Sequence, residues 1–83
     1  MADLKKKIDK GNRASAILLD QVVLEAFNEL EDRYTNEWKS SKFGESAKRD
    51  HAYASLVALE DLRTQLRIFV DSGRMAAKQL ERE

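Results

Sequence analysis

Val23, Phe27, Leu30, Tyr34 and Trp38 recur at steps of four, three, four and four within the stretch Asp20 to Trp38. That spacing places all five on one side of an α-helix. It is the strongest periodic signal in the chain, and it contains the only tryptophan. Nothing in the sequence opposes long helices, because the chain has no proline and only three glycines. The stripe needs a second apolar surface to cover it. Ala52, Leu56, Leu59, Leu62, Leu66, Phe69 and Val70 supply one at helical intervals. Between the two lies the one convincing loop, Ser40 to Ser46, with Gly44 and three serines. A connection of about seven residues makes its two helices antiparallel neighbours.

The ends read as shorter pieces. Leu4 and Ile8 give residues 1–10 one apolar edge, which Gly11 interrupts. Asn12 to Leu19 reads as a second short helix with Asn12 at its N-cap. Asp20 then caps the main helix, which predicts a corner at Leu19 and Asp20. A single bent helix over 12–40 is the alternative. Ser72-Gly73 predicts the end of the late helix, with Gly73 as a C′ residue. Arg74 to Glu83 resumes as a short charged helix with Met75, Ala76 and Leu80 on one side. The expected fold is all-α. It is an antiparallel helical hairpin of about 21–40 against 47–72, with short flanking N- and C-terminal helices. One domain spans residues 1–83, with 1–10 as a basic, mobile arm. The hairpin alone buries one seam. Tyr53, Ala54 and Val57 form a weaker second strip that the terminal helices or another chain would cover.

A chain of 83 residues builds a small core, so a partner is the default expectation. There is no cysteine, which excludes disulfides and thiolate metal sites. No apolar run is longer than that of Ala16 to Leu19, far short of the roughly 20 residues a spanning helix needs. The basic start MADLKKK leads into no apolar segment, so it does not read as a secretory signal. The expected location is a cytoplasm, the host's if the protein is viral, with virion association as an extension. No membrane partner is expected.

No constellation for catalysis emerges. His51 is the only histidine and lacks a second ligand at metal-binding spacing. The carboxylate pairs Glu25/Glu29, Glu31/Asp32 and Glu60/Asp61 fall where periodicity exposes them, whereas acid–base chemistry needs carboxylates in distinct, water-poor surroundings. The expectation is no enzyme, no cofactor and no metal.

Charge is balanced overall, 15 basic against 15 acidic residues, but segregated along the chain. Lys5, Lys6, Lys7, Lys10 and Arg13 against Asp3 and Asp9 give residues 1–13 a charge of +3. Lys39, Lys42, Lys48 and Arg49 against Glu45 give the loop region +3. Residues 20–37 carry −5, six acidic groups against Arg33. Arg63, Arg67, Arg74 and Lys78 form a basic row on the late helix, read as pairing with the acidic helix or, second, as a phosphate-contacting stripe. The arm at Lys5, Lys6, Lys7, Lys10 and Arg13 is the nucleic-acid candidate. It serves equally as a solubilising tail or as a dock for a neighbouring copy's acidic belt. Trp38, Phe43, Tyr53 and Val57 are the protein-contact candidates. An aromatic cluster at the loop end acts either as a contact surface or as a plug closing the hairpin.

Several positions together resemble short helical proteins encoded by tailed bacteriophages and prophages. They are Gly11-x-x-Ala14, Leu18-Leu19-Asp20, Glu25-Ala26-Phe27 with Leu30, Glu37-Trp38-Lys39, Leu59-x-x-Leu62-x-x-x-Leu66 and Gly73-x-x-Ala76. The resemblance implies a virus-encoded protein that works by association, in virion assembly or DNA packaging. The first expectation is thus a non-enzymatic interaction protein that forms a homo-oligomer or joins a larger protein assembly. The alternatives are a DNA-binding packaging factor resembling a small terminase subunit, and a phage inhibitor that presents its acidic helix to a host enzyme.

Overall fold

The computed structural model describes residues 2–82. It consists of α1 (Ala2–Leu19), α2 (Gln21–Ser40) and α3 (Ser46–Glu81), and no strand occurs among the described residues. The all-α hairpin class is as the periodicity predicts. Where the sequence suggests one domain over 1–83, contacts gather into two compact units. One is Gln21–Leu62; the other combines Met1–Asp20 with Arg63–Glu83. Helix α3 contributes its first part to one unit and its second part to the other.

In the unit Gln21–Leu62, α2 returns along α3 as the hairpin. Phe27 is buried at 8% exposure, flanked by half-buried Val23, Leu30 and Tyr34. On α3, Ala52 is fully buried, at 0% exposure, followed by half-buried Leu56 and Leu59. A completely buried alanine marks close helix approach, because interaxial distance follows the side chains at the contact. Leu62, expected on this seam, is 54% exposed. Arg63, the next residue, is half-buried and belongs to the other unit.

In the other unit, α1 lies antiparallel to the second part of α3. Its inward face is Leu4, Ile8, Gly11, Ala14, Ser15 and Leu18, with Gly11 and Ala14 buried. Across from it stand Phe69, Val70, Gly73, Ala76 and Ala77, with Gly73 and Ala76 buried. Both expectations for these glycines are corrected here. Gly11 does not interrupt a helix, and Ala2–Leu19 is continuous. Gly73 does not end one, and α3 runs on to Glu81 without a separate C-terminal helix. The reason is tertiary. A β-carbon on Gly11 would stand 2.9 Å from the Phe69 carbonyl oxygen and 3.0 Å from the Gly73 Cα. The glycines are where two helix backbones touch, not where helices stop. Residues 2–10, expected as a mobile arm, form the first half of α1.

Between α1 and α2 only Asp20 is non-helical, and its N–H bonds to the Ile17 carbonyl at 3.2 Å. Residues 12–40 therefore belong to two helices separated at Asp20, as the capping reading predicts, and not to one continuous helix.

Candidate interaction surfaces

The connection between α2 and α3 is five residues, Ser41 to Glu45. The last carbonyls of a helix lack intrahelical partners. Here serines satisfy two of them: Ser41 Oγ donates to the Trp38 carbonyl at 2.7 Å, and Ser40 Oγ to that of Glu37 at 3.4 Å. Lys42 organises the turn that follows. Its N–H donates to Glu45 Oε1 at 2.7 Å, and its carbonyl accepts from the Glu45 N–H at 2.9 Å and from Arg49 Nη1 at 2.9 Å. Gly44 supplies the left-handed backbone, φ 98°, that the third position of such a turn requires.

This geometry ejects Phe43. Held at the second turn position, it is 104% exposed. A side chain so exposed packs on neither Trp38 nor Tyr53, so the three do not form the aromatic cluster expected, and Phe43 plugs nothing. Trp38, in the last turn of α2, is about half exposed. Tyr53 and Val57 are both exposed and stand one turn apart on α3. All four contact candidates thus lie on the surface of the unit Gln21–Leu62.

The basic candidates fall in the other unit and are divided by the helix. Lys5, Lys6, Lys7, Lys10 and Arg13 are all exposed. Lys6, Lys10 and Arg13 share one face of α1 and line a groove of about 630 Å³ with Asp9, Ile17, Leu66 and Phe69. Lys7 sits beside the glycine crossing, where its carbonyl would meet a β-carbon on Gly73 at 3.0 Å. Lys5 falls on the opposite flank. Seen as a sequence, the arm is one basic cluster; as a helix it presents three cations in a row. The spacing i, i+4, i+7 carried that information, and reading residues 1–10 as an interrupted piece concealed it.

His51 is exposed on the second turn of α3, and no group of three metal-ligating side chains occurs among the described residues. Glu25, Glu29, Glu31, Asp32, Glu60 and Asp61 are exposed. Solvated carboxylates of that kind do not supply the paired environments acid–base catalysis uses. Compared with protein-family models, with curated proteins and with solved structures, the chain has no match.

Proposed function

We propose that the protein is a non-catalytic helical interaction module that works by associating with copies of itself or with a larger protein assembly. One observation carries this reading. Among the described residues the buried apolar ones are Ala14, Phe27, Ala52 and Ala76, whereas Trp38, Phe43, Tyr53 and Val57 face water. Large exposed aromatic and aliphatic side chains are the raw material of binding hot spots. A hairpin with one seam gains burial chiefly from what covers its open side. Phage-type virion assembly or packaging is the setting that the sequence resemblance suggests for such a module. Sedimentation velocity over a wide concentration range tests the reading. Concentration-dependent association supports it, and a strict monomer that joins no assembly counts against it.

A second reading, DNA binding by a packaging factor, draws on the row Lys6, Lys10 and Arg13. It predicts affinity that falls steeply as salt rises. Binding to duplex DNA that withstands high salt would argue against it.

A further inference from the structure

Lys6, Lys10 and Arg13 border apolar ground. Their groove has Ile17 and Phe69 on its lining, and the Lys10 ammonium lies 5.1 Å from the Phe69 ring centroid. Asp9 also lines it, 3.9 Å from Arg13, so three cations and one anion leave a net +2. A ligand made only of phosphates would engage the cations and leave the apolar lining wet. The better complement is an apolar strip edged by acids. The outer face of α2 has that make-up. Val22, Glu25, Ala26, Glu29 and Asp32 fall on one side of the helix and all are exposed, with exposed Arg33 among them, so three acids and one cation leave that face a net −2. Moreover, Glu25, Glu29 and Asp32 repeat the interval of Lys6, Lys10 and Arg13, namely i, i+4, i+7. Each set spans about 10.5 Å of helix axis.

We propose that the groove bordered by Lys6, Lys10 and Arg13 seats the acidic outer face of α2 from a second copy of this chain. The assignment rests on the self-association proposed above and gives it a surface. The two patches sit at different places on the chain, so the contact joins unlike surfaces. It is strongest at low salt, because the charges on both sides are solvent-exposed.

Two charge-reversed proteins test this. K6E/K10E/R13E makes the groove acidic, and E25K/E29K/D32K makes the α2 face basic. All six side chains are exposed, so circular dichroism should report unchanged helix. Each variant alone is expected to associate at least about 100-fold more weakly than the parent by sedimentation velocity. An equimolar mixture is expected to associate again, since each altered face then meets its complement. If the parent associates but either variant does so equally well, or the mixture stays monomeric, this assignment falls while self-association through another surface stands. If the parent is monomeric at every concentration, both fall together. If K6E/K10E/R13E loses duplex DNA binding while its self-association is untouched, the groove is a nucleic-acid site and the assignment is overturned.

Discussion

Gly11 and Gly73 face each other across the α1–α3 crossing as near equivalents. A β-carbon on either would stand 3.0 Å from the other's Cα. Each would also meet the carbonyl oxygen four residues before its counterpart, Phe69 at 2.9 Å for Gly11 and Lys7 at 3.0 Å for Gly73. All the obstructing atoms are backbone, so no side chain can swing aside to relieve the clash.

Gly11→Ala or Gly73→Ala therefore has to push the helices apart. Overpacking of this kind costs about 1–3 kcal/mol, and the helix propensity of alanine returns up to ~1 kcal/mol. The expected result of urea denaturation is a net loss of stability for either variant. The double variant should lose less than the sum of the two, because both act on one contact.

Gly44→Ala tests a different property of glycine. Nothing lies within 4 Å of the position a β-carbon would take there, but φ is +98°. The cost is backbone strain, about 1–2 kcal/mol. Gly44→Asn should cost less, since asparagine tolerates the left-handed region, and that ordering separates strain from crowding.

Phe27 and Leu62 should respond in opposite ways to truncation. Phe27 is the one large apolar side chain in the buried core among the described residues, and Phe27→Ala is expected to cost roughly 3–5 kcal/mol. Leu62→Ala, at an exposed position, should fall within about 0.5 kcal/mol of the parent. Thermal or urea unfolding followed by circular dichroism reads both.

Phe43→Ser removes a side chain that touches nothing in its own chain. Stability should stay within about 0.5 kcal/mol of the parent. Association is expected to weaken if the loop end is part of the contact, by roughly tenfold or more for a residue acting as a hot spot. Trp38 fluorescence offers a direct readout, since burial of its half-exposed indole should shift emission on association.

Asp9→Asn addresses the ion pair with Arg13. At 3.9 Å, with side chains 80% and 71% exposed, the pair contributes ~0–0.5 kcal/mol. Chemical denaturation should barely register its loss. If α2 of a second copy occupies the groove, removing this anion should tighten association in a titration at low salt.

Local signals located what is local. The stripe Val23, Phe27, Leu30 and Tyr34 placed α2, and Asp20 marked its start. The serines and Gly44 placed the turn. What escaped was set by partners far along the chain. A glycine near a helix end and a glycine at a helix crossing look alike in a ten-residue window. Gly73 reads as a terminator because C′ is where glycine is most enriched. The paired Gly11-x-x-Ala14 and Gly73-x-x-Ala76 were visible as matching small-residue steps, and their matching was the sign that two backbones meet. Leu62 went wrong for a subtler reason. Steps of three and of four both satisfy helical periodicity, so Leu62 fits the stripe by spacing although it is 54% exposed. At the surface, Trp38, Phe43, Tyr53 and Val57 were picked out by chemistry, but their separation depends on turn geometry that composition does not encode.

The two halves of α3 also set an order of events in time. Helices α2 and α3 meet across a five-residue turn, so their contacts close a short loop. Gly11 must wait for Gly73, 62 positions later (73 − 11), and closing a long loop is entropically costlier and slower. On a ribosome adding roughly 5–20 residues per second, the hairpin can assemble once Leu62 has emerged. Meanwhile α1 spends several seconds with its apolar edge uncovered, available to chaperones or to a neighbouring nascent chain. Of these three helices, the earliest in the chain is the last to be docked.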